Sequence, residues 1–137
     1  MEYLATLCCA LFTGAALYIN LVEHPARMSC GARAALNEWI PSYKKATNLQ
    51  ASLAIAGCVF ALLAWIGGAG FWVLVAGLLL GSVVPFTLKI VMPVNEKLLE
   101  LDTEQADEQE IEQLLEEWNE LHMIRTGLAL LALLILL

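Results

Sequence analysis

ATNLQASLAIAGCVFALLAWIGGAGFWVLVAGLLLGSVVPFTL, residues 46–88, runs for 43 positions without a single Asp, Glu, Lys or Arg. A transmembrane helix needs about 20 apolar residues, so a run of this length holds two spans. Gly67-Gly68-Ala69-Gly70 lies at its middle, where two antiparallel helices need a tight turn that only flexible residues make cheaply. The stretch therefore reads as a helical hairpin crossing a bilayer twice, with spans over about 47–66 and 70–92.

Outward from this hairpin the same reading recurs. Tyr3 to Val22 is also free of charge and supplies a span over about 3–23. A cleaved signal peptide fits this start poorly, because Glu2 stands where a basic region belongs and the apolar run is too long. At the other end only the 12 residues from Thr126 to Leu137 are uncharged. As a helix they reach about 18 Å, against a hydrocarbon core of about 30 Å. The fourth span must then begin near Trp118, over about 118–137, which brings His122 and Arg125 inside the membrane or to its edge.

Composition agrees. The 137 residues are 60% hydrophobic and 15% charged, with a mean hydropathy of +0.72, too apolar for a soluble fold of this length to hide. A net charge of −7 argues against a nucleic-acid partner. Cys8, Cys9, Cys30 and Cys58 form no CxxC pair, so neither a disulfide framework nor a zinc pattern is expected. The fold class is all-α: one integral membrane domain, a four-transmembrane-helix bundle whose fourth helix is preceded by a cytoplasmic helical extension.

Orientation follows from charge. Four spans place both ends of the chain on one side and residues 23–48 and 89–125 on the other. All seven Lys and Arg residues and all acids but Glu2 belong to the second side. The positive-inside rule makes that side cytoplasmic, with both termini outside, in the cytoplasmic (inner) membrane. The acidic stretch over about 98–117 carries Ile111, Leu114, Leu115 and Trp118 at helical spacing. It reads as a helical stem projecting into the cytoplasm and running on into the fourth span. Its carboxylates form a solvated face, or a docking surface for a basic partner. Gly77 and Gly81 make a GxxxG on the third span, for close packing within the bundle or between protomers.

Polar residues near the cytoplasmic ends of three spans fall in one layer. Asn20, Glu23, His24 and Arg27 are spaced i, i+3, i+4, i+7 on the first, up to a disturbance at Pro25. Trp118, His122 and Arg125 stand on the fourth, and Pro85, Thr87, Pro93 and Asn95 on the third, where two prolines leave carbonyls without their usual donors. In the first loop Ala34, Ala35, Trp39 and Tyr43 form a weak amphipathic pattern interrupted by Pro41. Trp39 and Tyr43 suit an interfacial belt or the roof of a pocket. Ionisable groups in a membrane are costly, so the layer is either a functional site or a structural network. In the second case Glu23, His24, His122 and Arg125 satisfy one another and Arg125 snorkels.

Leu-Val-Glu23-His24-Pro25-Ala-Arg27, then Trp39, Tyr43 and Gln50, then Pro85-Phe-Thr87 and Met92-Pro93-Val-Asn95, then Trp118-Asn-Glu-Leu-His122-Met-Ile-Arg125-Thr126 together resemble the anthrone oxygenase-like family of small four-helix membrane proteins. The resemblance implies a four-helix bundle. For its characterised members it implies oxidation of a tricyclic anthrone to an anthraquinone by O2 without metal or organic cofactor. It points to His24, Trp39, Tyr43, Asn95, His122 and Arg125. The acidic stretch matches none of its motifs.

The candidate catalytic residues are thus His24, His122, Asn95 and Arg125: a histidine as base, the amide, guanidinium or Tyr43 hydroxyl as oxyanion donor. Glu23, Trp39, Tyr43 and Trp118 are candidates for holding an apolar aromatic substrate that arrives from the lipid. Two other functions compete. His24 and His122, joined by Glu23, could ligate haem or a transition metal, although no Glu-x-x-His is present. Alternatively the protein is a non-catalytic accessory subunit or scaffold, meeting a copy of itself or a membrane partner through Gly77/Gly81 or the acidic stem.

Overall fold

The computed structural model describes residues 1–137, and its regular structure is entirely helical. Four helices follow one another: α1 (Glu2–Met28), α2 (Ala32–Ile66), α3 (Phe71–Glu100) and α4 (Glu108–Leu136), each long and apolar enough to cross a membrane. The chain is an all-α membrane protein built as a four-helix bundle. Large side chains such as Leu7, Leu11, Ile55, Leu78 and Leu134 lie exposed on its outside, as a lipid-facing surface requires.

The α2–α3 turn is where the glycines place it. Ala69 N–H reaches back to Ala64 O at 3.0 Å, and Gly68 between them takes φ +100°, a left-handed helix end that a Cβ would strain. The opposite, charged end of the bundle differs from expectation in two places. Residues 23–48 are no loop: α1 runs on to Met28, a turn at Ser29–Gly31 follows, and α2 continues unbroken through Pro41. Pro41 gives no N–H to the ladder and crowds the carbonyl one turn back, but Ala35, Leu36 and Trp39 just before it are fully buried and hold the helix in place by packing.

The helical extension ahead of the fourth span is present as the start of α4, but the acidic stretch over 98–117 is not one continuous helix. α3 extends to Glu100, residues 101–107 turn, and α4 starts at Glu108. Arg33 at the head of α2 pins this turn, with Nη1 donating to Thr103 O and Glu104 O at 2.7 Å each. Its Nη2 donates to Ala106 O at 3.1 Å and its Nε to Glu108 Oε1 at 3.0 Å. Ile111, Leu115 and Trp118 of α4 then bury against Leu36 and Trp39 of α2 and Val94 and Leu98 of α3. The amphipathic face found partners because α2 and α3 also extend beyond the apolar layer.

A second core fills the apolar half: Cys9, Phe12 and Ala16 of α1 with Ala54, Ala76, Leu80, Val83, Ala129 and Ala132. Small residues let α2 and α3 approach closely there. A Cβ on Gly81 would sit 2.8 Å from Cys58 Sγ, and one on Gly77 would run into Ala61. The GxxxG face is thus occupied within the bundle.

Two wide turns mark the boundary between the cores. Ile19–Glu23 in α1 and Thr87–Val91 in α3 are π-helical, with His24 N–H bonded to Ile19 O and Met92 N–H to Thr87 O. Each ends two residues before a proline, Pro25 or Pro93. A proline ring has no N–H and crowds the carbonyl one turn back; a slip to i→i−5 bonding opens room for it. Such a turn also rotates the following side chains off the regular helical stripe, here in the polar layer.

Candidate functional site

Between the two cores the helices do not close. All four line one cavity: α1 gives Phe12 and Arg27, α2 Trp39, Tyr43 and Gln50, α3 Thr87 and Asn95, α4 Trp118, His122 and Arg125. The space between its walls, counted out through the open mouth into solvent, is about 730 Å³. The wall between α2 and α3 is the thin one, with Ala46, Thr47, Ala51, Val84 and Thr87 half-exposed and Leu88 exposed. Ala51, Val84 and Leu88 belong to the charge-free run, so the exposed part of this wall reaches into the apolar segment of the chain.

His122 is buried, and its ring is held by a chain of polar side chains. Its Nδ1 lies 3.0 Å from Asn20 Oδ1, which also accepts from Thr126 Oγ1 at 2.6 Å; Asn20 Nδ2 donates to Asn119 Oδ1 at 2.8 Å. With the amide nitrogen committed to Asn119, the atom facing His122 is an oxygen, which only accepts. Nδ1 therefore carries the proton, and in the neutral ring the lone pair sits on Nε2. Nε2 has no partner in the protein and is not among the fully occluded polar atoms, while the ring lines the cavity.

Asn95, fully buried on α3, donates through Nδ2 to the Tyr43 hydroxyl at 3.3 Å. The Tyr43 proton has only the Met92 sulfur, 3.8 Å away, as acceptor, so it is free to turn to a stronger one. Trp39 stacks on Tyr43 at 4.8 Å and 7° and meets Trp118 edge-on at 5.8 Å, giving the cavity an aromatic wall. Deeper in the apolar layer Arg125 Nη2 donates to Gln50 Oε1 at 2.9 Å, and its guanidinium lies 5.8 Å over the Phe12 ring.

The other sequence-marked residues gather elsewhere. Arg27 reaches the cavity rim, paired with Glu23 and, at 2.6 Å through Nε, with Glu38; Ser42 Oγ donates to Glu23 at 2.5 Å. Desolvation pushes the Glu38 carboxyl above its ordinary value, and Arg27 opposes the shift. His24 and Glu23 do not line the cavity. His24 lies beyond Trp118, 6.1 Å between ring centroids, with Nε2 3.5 Å from a Glu116 oxygen. The mutual network of Glu23, His24, His122 and Arg125 does not form, and Arg125 points into the bundle instead of snorkelling. No three His, Cys, Asp or Glu side chains converge as metal ligands, and Glu23 is engaged by Arg27 and Ser42.

Sequence reasoning gave no role to Glu38 or Ser42, met Gln50, Asn119 and Thr126 only within the motifs that carry the family resemblance, and counted Asn20 only as part of the polar layer. Asn20 shares the face of His24, and Thr126 follows His122 by one turn, so spacing held part of the signal. Which of them turns toward His122 depends on the rotation introduced by the π segment.

A family model described as anthrone oxygenase matches residues 39–135. The chain belongs to the anthrone oxygenase family. No curated protein and no solved structure is significantly similar to it. The anthrone oxygenase match begins at Trp39, so it takes in every cavity residue on α2, α3 and α4. It leaves out α1, which supplies Asn20, Arg27 and the Phe12 floor.

Proposed function

We propose that the protein is an oxygenase of the anthrone type, oxidising an apolar aromatic substrate with O2 and no metal or organic cofactor. The observation that carries the reading is His122: Nδ1 tied to Asn20, Nε2 open to an aromatic-walled cavity. An anthrone has an acidic methylene beside a conjugated carbonyl. His122 Nε2 takes one of its protons, and the Tyr43 hydroxyl, polarised by Asn95, donates to the oxygen on which the enolate charge collects. The enolate passes an electron to O2, the resulting pair combines as a peroxide, and loss of water leaves the quinone carbonyl. The substrate supplies all the electrons, which suits a site built from a base and donors. Flat substrate and product pass between α2 and α3, from and to the bilayer.

In this reading the charged end is cytoplasmic and the cavity lies just beneath that face; the seven basic residues, all on that end, support it through the positive-inside rule. The test of activity is anthrone oxidation by the purified protein in phosphatidylcholine nanodiscs, followed as O2 uptake and quinone absorbance above the spontaneous rate. His122→Ala should lower kcat by about 10²-fold or more, while His24→Ala stays within about threefold of wild type. Full turnover by His122→Ala overturns the mechanism, and no turnover of any anthrone by the intact protein overturns the function.

A further inference from the structure

The charges on the cavity wall are unevenly balanced. Of its two guanidiniums, Arg27 has Glu23 and Glu38 beside it. Arg125 pairs with no carboxylate; the ion pairs of the protein belong to His24, Arg27 and Arg33. Its partners are the neutral Gln50 Oε1 and the face of Phe12. Arg125 Nε and Gln50 Nε2 are both occluded without an acceptor, two donors left over in one corner. The corner lies in the apolar half of the bundle, among Ala54 and Val83, where water cannot solvate a cation as bulk solvent does. An uncompensated guanidinium at that depth costs several kcal/mol. The side chain does not relieve this by reaching for lipid headgroups, because both of its contacts lie inside the bundle.

We propose that the ligand of this cavity is an aromatic acid: a flat apolar body bearing a carboxylate or ionised phenol whose anionic oxygen pairs with Arg125. Tyr43 and Asn95, beside the aromatic wall, hold a different oxygen. The two polar anchors then fix which edge of the ring system faces His122. Guanidinium is the cation suited to this, since its planar fork meets a carboxylate through two parallel hydrogen bonds and is weakly hydrated. The proposal rests on the cavity being the substrate site, and not on the oxidation itself.

The test is binding, so it stands apart from turnover. Anthracene-2-carboxylate and the neutral, equally sized anthracene-2-carboxamide are measured by equilibrium dialysis at pH 7.5 against the protein in phosphatidylcholine nanodiscs, with uptake by empty nanodiscs subtracted. The wild-type protein should bind the acid about tenfold or more tightly than the amide. Arg125→Gln should bring the two within about twofold, and Arg125→Lys, which keeps the charge but loses the planar fork, should restore only part of the preference. Equal binding of acid and amide by wild type overturns the proposal without any variant having to fold. A preference that survives in Arg125→Gln, shown by circular dichroism and gel filtration to be intact, overturns the assignment to Arg125. A charge-selective protein that oxidises no anthrone sinks the oxygenase reading and leaves this inference standing.

Discussion

The two histidines of the chain share a layer but not an environment. Spacing placed His24 and His122 at one depth on neighbouring helices; depth says nothing of rotation about the helix axis. Trp118 stands beside both, its centroid 6.1 Å from His24 and 5.0 Å from His122, and only His122 reaches the cavity. Asn20 decides what His122 can do, because it fixes the proton on Nδ1. Asn20→Leu keeps the volume and removes the acceptor. The imidazole then samples both tautomers and orientations, so kcat should fall by about 10- to 100-fold with KM within about threefold, by analogy with the loss of an orienting partner at other sites. Asn20→Asp, which still accepts from Nδ1–H, should stay within about tenfold of wild type. ¹⁵N spectra of the His122 ring give the readout that a merely structural role leaves unmoved: one Nδ1-protonated tautomer in wild type and a mixture in Asn20→Leu. A single tautomer and an unchanged kcat in Asn20→Leu would remove Asn20 from the mechanism.

Among the elements, what was legible depended on whether the cause was local. The turn at Gly67–Gly70 is written in its own residues, and so are the disturbances at Pro25 and Pro93. The turn at 101–107 is not: LDTEQAD holds no Gly or Pro, and its carbonyls are gathered by Arg33, about seventy positions away in the chain. No pattern in the acidic stretch could have shown that bond. The continuity of α2 through Pro41 has the same origin, in packing by residues of other helices. The GxxxG was visible as a motif, but the surface it packs on came only with the fold. Because Gly77 faces Ala61 across the α2–α3 contact, Gly77→Val must push the helices apart, a loss of about 1–3 kcal/mol. Gly14→Ala is the control, since nothing stands within 4 Å of its added methyl. Thermal unfolding in one detergent should show a clear drop in Tm for Gly77→Val and none for Gly14→Ala. Equal midpoints would mean that α2 and α3 do not close on these glycines.

For the whole molecule, the arrangement of charge was readable from the start, because a bilayer sorts ionisable groups by depth whatever the side-chain packing. Two cores and the cavity between them were not readable, since they depend on how far α2, α3 and α4 extend beyond the apolar layer together. The extension matters for orientation too. Arg33, Lys44, Lys45, Lys89 and Lys97 all stand on the charged end, and moving that mass of charge across the bilayer would be prohibitive once it is folded around a core. Cys30, exposed in the α1–α2 turn, reports on this end; Gly70, at the opposite end with nothing within 4 Å of an added Cβ, accepts a second reporter. If the charged end is cytoplasmic, a membrane-impermeant maleimide applied to cells with a permeable outer barrier should leave Cys30 unlabelled until the inner membrane is opened. In a Cys30→Ser background, Gly70→Cys should label at once in the same intact cells. The reverse pattern would invert the protein and place the cavity beneath the outer face, where a substrate made in the cytoplasm reaches it only after crossing the membrane.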